Sequence, residues 1–450
     1  MLSLLKNLAD RPAFQPGGMG RKVGGFLSFA LLAVLLVVVN LDAYRGNFQS
    51  DELESIGWTD RTPKLTYFEA ALSPRFQANN FRPTGHFFFR EGALHFGLDF
   101  WKYVAVIQAL HLLNVWLIWL LARRLGALPL AAAGGAALFA FHMALFDVLW
   151  KPMYVFDLLC ATFCILSLLL YARGRWVFSF AAFWLAYKSK ELAVMLPLVL
   201  AAYETWFGKR NWKPLIPFFL ASLSFGLQGI LLNPNHDNDY TFRFTAPAVA
   251  QTFAFYSAKI FLWPYLFLLL PLGALAARNR RAWFGLAVMV LFFVPLMFLP
   301  GRLFSAYCYV PFIWLAIAFS GIAPTGKWIP AAIFLLAFAW LDAQAFDTQR
   351  TDTLNQDDTA GRWLTSVVEF AQTHPAINGA VYRGLPGGYS RGGCEGAMRY
   401  IYHNHGLTVL PYDDPQSSIL LSHPRVAILI WFDKLQYLTT DLTGAAPPPK

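Results

Sequence analysis

Three carboxylates stand within four residues of one another, shortly after the first apolar stretch of the chain: Asp51, Glu52 and Glu54. A carboxylate near a membrane surface can accept a proton from a hydroxyl group, because partial burial raises its pKa toward the pH at which such a reaction runs. Asp51 and Glu52 are therefore the candidate catalytic residues. A solvated acidic loop is the alternative, and this segment alone does not decide between the two.

Side chains that could bind an anion follow at intervals along the chain. Lys190 and Arg302 are the main candidates for binding a phosphate group, since an arginine can donate two parallel hydrogen bonds to phosphate oxygens. Arg243 and His142 are further candidates for the same role. Two alternatives remain: Lys190 could form an internal ion pair with Glu191, and Arg302 could simply extend from the membrane edge to water.

Four other polar residues are predicted to support this site: Arg82, His111, Asp147 and Glu191. His111 and Asn114 are three residues apart and so share one face of a helix. In an apolar helix, that pattern indicates hydrogen bonding between helices more often than catalysis. Asp147 could likewise only hydrogen-bond between helix ends.

The composition indicates the setting in which these residues work. Hydrophobic residues make up 57% of the 450 residues and charged residues only 14%, which is typical of a protein with many membrane spans. The four cysteines fit neither a disulfide framework nor a zinc site, and no metal site is predicted. The net charge of +10 lies in short loops, where it orients the helices, so nucleic acid is not an expected partner.

About eleven membrane crossings are predicted from runs close to the ~20 apolar residues that cross a bilayer. The predicted spans are 24–41, 101–121, 128–146, 153–171, 176–187, 192–207, 214–232, 249–276, 282–299, 303–323 and 328–345. The segment 176–187 is short, about 18 Å as a helix, so the charges at 188–191 are expected to face a polar cavity. The segment 249–276 could be one kinked span, or a lateral helix followed by a span.

Charge distribution orients the predicted helices and divides the chain into parts. Short basic loops place the amino terminus, 1–23, in the cytoplasm, and the acidic loops on the outer face. The bundle covers 24–345 and includes a long outer loop, 42–100, in which Leu65, Phe68, Leu72 and Phe76 predict a helix lying on the membrane surface.

An outer α/β domain, 346–444, is predicted to follow the bundle. It is expected to contain a helix at 363–370 and strands at 380–382 and 426–432. The glycine-rich stretch 384–393 lacks the pattern of a nucleotide-binding loop. A disordered tail, 445–450, ends the chain.

Taken in order, several short motifs resemble those of the GT-C glycosyltransferases that use polyprenyl-phosphate sugars. The likeness is strongest to the protein O-mannosyltransferase branch, including the transmembrane-and-TPR O-mannosyltransferases, and covers about residues 25 to 320. The matching motifs are Asp51-Glu52, Phe81-Arg82-Pro83, His111-Leu112-Leu113-Asn114, Phe141-His142 with Asp147, Asp157-Leu158-Leu159, Ser189-Lys190-Glu191, and Gly301-Arg302 with Tyr309-Val310-Pro311. Three features depart from the family: Asp147 replaces an expected Glu, Lys151-Pro152-Met153 replaces a glycine-arginine segment, and TPR repeats are missing.

The resemblance implies an all-α polytopic GT-C bundle and an inverting sugar transfer. The donor would be a polyprenyl-phosphate sugar, with mannose as one candidate, and the acceptor a hydroxyl of a protein or glycan. Asp51 or Glu52 would be the base, and Lys190, Arg302, Arg243 and His142 would bind the donor phosphate. Some relatives use Mg²⁺ or Mn²⁺, but the sequence shows no complete ligand set.

The implied location is a membrane, the bacterial inner membrane being the expected one, with the site and the carboxyl-terminal domain outside the cytoplasm and membrane lipids as further partners. Two other functions stay open. A flippase or transporter of a lipid-linked glycan would usually show matching halves with broken helices, which the sequence lacks. A membrane scaffold without catalysis would act through its outer domain.

Overall fold

The computed structural model describes residues 19–75, 81–232, 239–263, 265–322 and 328–444. The predictions made for residues 1–18, for Phe76, and for the tail 445–450 lie outside the described residues.

The described residues are mostly helical, as their long apolar runs predict. Helices suit a bilayer because each satisfies its own backbone hydrogen bonds. In chain order the helices are α1 Met19–Val39, α2 Ser50–Thr59, α3 Lys64–Leu72, α4 Pro83–His95, α5 Phe100–Arg124, α6 Pro129–Phe141, α7 Phe146–Trp150, α8 Val155–Tyr171, α9 Trp176–Ser189, α10 Leu196–Trp206, α11 Ile216–Leu232, α12 Ala246–Phe261, α13 Leu269–Ala277, α14 Arg280–Phe293, α15 Tyr309–Ile322, α16 Trp328–Thr373, α17 Arg391–Ile401 and α18 Ser417–Leu421.

Within the described residues, four helical segments are long and apolar enough to cross a membrane. They are Phe100–Arg124, Pro152–Tyr171, Arg280–Phe298 and Ser305–Ile322. The number rises to six if each of two bent pairs is one crossing: Pro129–Phe141 with Met143–Trp150, bent by 52°, and Ala246–Phe261 with Leu266–Ala277, bent by 77°. The structure is therefore that of a helical protein with four to six candidate spans, and the count of eleven stays a prediction.

Helix α15 lies at the centre of the bundle, and nearly all of its side chains are buried. Two neighbouring helices place glycines against its backbone. A Cβ atom at Gly135 of α6 would overlap the carbonyl of Ala316, and one at Gly285 of α14 would lie 2.6 Å from the carbonyl of Trp314. Small residues at such contacts let membrane helices approach closely, where dispersion forces hold them together.

Helix α16 continues through the predicted boundary at 345. It contains 46 residues, so it is about 69 Å long and far exceeds a ~30 Å membrane core. The predicted span 328–345 and the predicted helix 363–370 are thus parts of one helix. Near its middle, the Arg350 guanidinium donates to Asp42 at 2.8 Å and ties the helix to the turn after α1.

The carboxyl-terminal part contains a four-stranded sheet with β1 Gly379–Arg383, β2 Val409–Pro411, β3 Val426–Phe432 and β4 Tyr437–Leu442. The strand order is β2-β1-β3-β4. Strand β1 is parallel to both neighbours, while β3 and β4 form an antiparallel pair. This confirms the predicted small sheet and both of its predicted strands.

Candidate functional site

The acidic segment forms the first turn of α2, and Glu52 anchors that turn. The Glu52 carboxylate accepts hydrogen bonds from the backbone N–H of Gln49 at 2.5 Å and of Met153 at 3.2 Å. The first bond is half of a capping box, which satisfies the free N–H groups at a helix start. Burial raises the pKa of Glu52 to about 7, although both hydrogen bonds act to lower it. Glu52 is fully buried, so it positions the helix and does not face a substrate.

Asp51 points the other way and is exposed to solvent. The protein atoms around it remove part of its hydration, which raises its pKa, while the positive charge of Arg302 lowers it. Asp51 therefore lies within range of the charge of one of the predicted phosphate-binding residues, although 251 positions separate them in the chain.

Tyr307 joins the two main cations. The Lys190 ammonium lies 4.3 Å from the centre of the Tyr307 ring, a cation–π distance. Arg302 donates to the Tyr307 hydroxyl at 3.4 Å, and its guanidinium carbon lies 4.3 Å from the ring centre of Tyr240. The structure thus brings Lys190 and Arg302 to one tyrosine. Tyr307 is not among the predicted site residues, and the only sign of it in the sequence is its position shortly after Arg302.

Lys190 and Glu191 do not pair with each other, contrary to the alternative considered above. Lys190 pairs with the buried carboxylate of Asp157 at 2.5 Å. The Arg82 guanidinium donates to both carboxylate oxygens of Glu191, and the shortest bond to each oxygen is 2.9 Å. The neighbours differ in partner because Lys190 ends α9 in an extended conformation, which sends the two side chains in different directions.

Arg302 differs from Lys190 and Arg82 because it has no carboxylate partner among the described residues. Its Nε atom is buried and has no hydrogen-bond acceptor. The aromatic residues Tyr240, Phe304 and Tyr307 lie around the Arg302 guanidinium. They contact its planar faces, so that N–H groups at its edge can donate to an anion. Arg302 therefore keeps hydrogen-bond donors with which it could bind a phosphate group.

Asp147 lies beside this cluster. Its carboxylate accepts a short hydrogen bond from the Ser305 hydroxyl, and the Lys151 ammonium lies 3.3 Å away. Ser305 begins the 3-10 turn Ser305–Cys308 that carries Tyr307. Asp147 can therefore support the position of Tyr307, as its predicted supporting role requires.

The remaining predicted residues make other contacts. His142 caps the turn Met143–Leu145, packs on Phe312 and lies 3.5 Å from the Asp342 carboxylate. Arg243 has an exposed side chain, and its backbone N–H donates to the Phe298 carbonyl at 2.8 Å. The contacts of His142 thus lie at the start of the turn Met143–Leu145, away from Tyr307.

His111 and Asn114 bind helices together. His111 hydrogen-bonds to the Tyr309 hydroxyl at 2.9 Å and to the Ala140 carbonyl at 3.3 Å. Asn114 donates to the Leu158 carbonyl at 3.0 Å and to the same Tyr309 hydroxyl at 3.1 Å. Both side chains are fully buried, so the reading of this motif as interhelical hydrogen bonding is confirmed.

The carboxyl-terminal domain packs directly on α2. A Cβ atom at Gly57 of α2 would overlap the backbone of Gly396 in α17, and one at Gly393 would overlap Ser50. The hydroxyl groups of Ser50 and Ser390 are 2.7 Å apart. The helix that carries Asp51 is thus held by backbone contact with the outer domain, an arrangement that the sequence analysis did not predict.

The donors at this site do not fit a divalent cation. Among the described residues, no group of three or more His, Cys, Asp or Glu side chains could hold a metal ion. Asp157 and Glu191 are each paired with a cation. No step is therefore derived through Mg²⁺ or Mn²⁺.

No family model matches the chain, and comparisons with curated proteins and with solved structures find no match.

Proposed function

We propose that this chain is an integral membrane glycosyltransferase of the GT-C type, which transfers a sugar from a polyprenyl-phosphate donor to a hydroxyl of a protein or glycan. The observation that carries the proposal is the meeting of Lys190 and Arg302 at Tyr307, with Asp51 close enough to Arg302 for the positive charge to lower its pKa. A base next to a phosphate-binding arginine is the minimum that this displacement needs.

In the proposed reaction, Asp51 takes the proton of the acceptor hydroxyl while the oxygen of that hydroxyl attacks the anomeric carbon of the donor sugar. The bond from that carbon to the phosphate oxygen breaks, and polyprenyl phosphate leaves as an anion without a general acid. One displacement inverts the anomeric centre. Lys190 and Arg302 stabilise the charge that collects on the leaving phosphate. Glu52 has no direct part because both of its oxygens accept backbone hydrogen bonds.

The surface of the molecule supports a membrane location. Leu65, Phe68 and Leu72 lie along one side of α3, each more than half exposed, while Tyr67 and Ala70 on its other side are buried. This is the pattern of a helix that lies in the membrane surface. We therefore keep the proposal of a polytopic protein with about eleven crossings, in a bacterial inner membrane, and with its site on the extracytoplasmic side.

The test is sugar transfer by the purified protein in nanodiscs, with polyprenyl-phosphate mannose and polyprenyl-phosphate glucose as donors. Replacement of Asp51 by Asn is expected to lower kcat by about 100-fold or more, because general-base catalysis contributes on that order. Glu54→Gln, the same chemical change three residues further along α2, is the matched control and is expected to keep most of the activity.

Full activity of Asp51→Asn would remove Asp51 from the base role. With the protein in closed vesicles, movement of a labelled lipid across the membrane without any glycosidic product would instead support a flippase. A wild-type protein that shows neither activity, and whose function is lost on deletion of residues 350–450 but not on mutation of Asp51 or Glu52, would favour a scaffold.

A further inference from the structure

Arginines from three connections meet at the end of the bundle that the sequence predicts to face the cytoplasm. Two of them end α5, two lie between α8 and α9, and two begin α14: Arg123, Arg124, Arg173, Arg175, Arg280 and Arg281. The Arg124 guanidinium donates to the Ala172 carbonyl at 2.6 Å, next to Arg173, and the Arg281 guanidinium donates to the Leu125 carbonyl, next to Arg124. Loop charges that only orient helices need not converge in this way.

Arg281 is buried without an ionic partner. Only 8% of the residue is exposed, and its Nη1 donates to the Leu125 carbonyl at 3.3 Å. Its Nε atom is buried and has no acceptor, and the same is true of the Nε atom of Arg123. Arg123 is half-buried, and its Nη1 donates to the Ala127 carbonyl. A buried charge is costly unless it is paired, so the buried Arg281 guanidinium indicates a missing anion.

The described residues do not supply that anion. None of the six arginines forms an ion pair with a carboxylate there. Glu204, a buried acid at this end, accepts a hydrogen bond from the Asn211 backbone at 3.1 Å instead. Arg280 and Arg281 also begin α14 with no acid in its first turn, where the helix dipole disfavours cations.

We propose that Arg123 and Arg281 bind the phosphate of an anionic phospholipid headgroup. Arg123 is next to last in the candidate span Phe100–Arg124, and Arg281 is second in the candidate span Arg280–Phe298. Both therefore lie where an apolar span ends, which is the level of lipid phosphates. Leu128 and Leu130, exposed by 72% and 85% at the start of α6, offer apolar surface for the acyl chains.

This proposal requires that the helices cross a membrane, but it does not depend on sugar transfer. A guanidinium group can donate two parallel hydrogen bonds to one phosphate, whereas a lysine ammonium group of the same charge cannot. This difference distinguishes a specific phosphate site from general attraction between charges. The ligand could also be free phosphate in the cytoplasm, and the experiment must separate that source from the lipid.

The protein is reconstituted in nanodiscs of phosphatidylcholine alone, of phosphatidylcholine with phosphatidylglycerol, or of phosphatidylcholine with inorganic phosphate in the buffer. Thermal unfolding and the number of bound lipids by native mass spectrometry are measured. Phosphatidylglycerol is expected to raise the Tm of the wild type, and Arg281→Gln is expected to bind it about tenfold more weakly, the loss of about one charged hydrogen bond. Arg362→Gln, which removes an exposed arginine paired with Asp358, is the matched control.

Equal stabilisation of Arg281→Gln and wild type by phosphatidylglycerol would overturn the site. A Tm increase of the same size with inorganic phosphate alone would overturn the lipid as its source. Arg281→Lys guards against a variant that fails to fold, because it keeps the charge. It is expected to bind the lipid with reduced affinity, and wild-type affinity would show that only general charge attraction operates.

Discussion

Asp51 lies close enough to Arg302 for the cation to lower the pKa of the carboxyl group. Removal of that charge by Arg302→Gln leaves desolvation unopposed and raises the pKa of Asp51. Because a general base works in its deprotonated form, the acidic limb of kcat/KM is expected to move to higher pH. The measurement is the pH profile of sugar transfer, with excess enzyme for the weaker variant.

Arg362→Gln is the control for this experiment, since it removes the same charge from an exposed ion pair in α16. Its acidic limb should coincide with that of the wild type. Lower activity of Arg302→Gln with an unmoved limb would mean that Arg302 acts on the donor alone.

Glu52 makes the stability of the protein depend on pH. Its pKa is about 7 in the folded state against an ordinary value of 4.5. The folded state therefore binds the proton of Glu52 more tightly than the unfolded state does. The contribution of this proton to the free energy of unfolding is fully present below pH 4.5 and is lost as the pH rises through about 7. The loss is about 3 kcal/mol. Asp357, whose pKa burial raises to about 6, acts in the same direction.

Glu52→Gln cannot ionise, so its Tm is expected to fall less between pH 5 and pH 8 than that of the wild type. At pH 5 the variant should be the less stable protein, because Gln offers one acceptor to two backbone donors. Glu369→Gln, at an exposed position of α16, is the control and should follow the wild type. Parallel curves for Glu52→Gln and the wild type would contradict the pH effect.

At the scale of secondary structure, the contact between α2 and α17 decides where Asp51 lies. Gly396 and Gly57 meet backbone to backbone, so a methyl group at 396 forces the two helices apart. Gly396→Ala is therefore expected to lower kcat by about 100-fold, since misplacement by ~1 Å costs that much. The acidic limb of the pH profile should also move upward, because Asp51 moves away from Arg302.

Gly387→Ala is the matched control for this prediction. A Cβ atom there meets nothing within 4 Å, and the position needs no left-handed backbone. It should leave both kcat and the pH profile unchanged. If Gly396→Ala yields less active protein but the acidic limb of its pH profile stays where it is in the wild type, the contact supports folding only.

At the scale of the whole molecule, the orientation in the membrane can be read by labelling. All four native cysteines are buried, so an introduced cysteine can be labelled selectively. Tyr437→Cys lies on the exposed edge strand β4, and Lys209→Cys lies in a basic loop at the other predicted side. A membrane-impermeant maleimide is expected to label Tyr437→Cys in intact spheroplasts, and Lys209→Cys only after permeabilisation. The reverse pattern would place the site in the cytoplasm.

The sequence determined the features that depend on neighbours in the chain. Apolar runs specified helices because a helix satisfies its backbone groups within one segment, and the β-branched run at 426–432 specified a strand. The motif with His111 and Asn114 also indicated its interhelical bonds, because two polar groups on one apolar face need partners. Asp51, Lys190 and Arg302 were recognisable as candidates by residue type alone.

Only the tertiary structure decided the partners of those side chains. Lys190 could pair with its neighbour Glu191, yet it binds Asp157, and Glu191 binds Arg82, which is 109 residues away. Ser50 meets Ser390 across 340 residues. Such pairs form when packing of distant helices brings groups together, and the energy of that packing is not encoded in any local pattern. The separate roles of Asp51 and Glu52 arise in the same way, because burial distinguishes two adjacent carboxylates that the sequence could not.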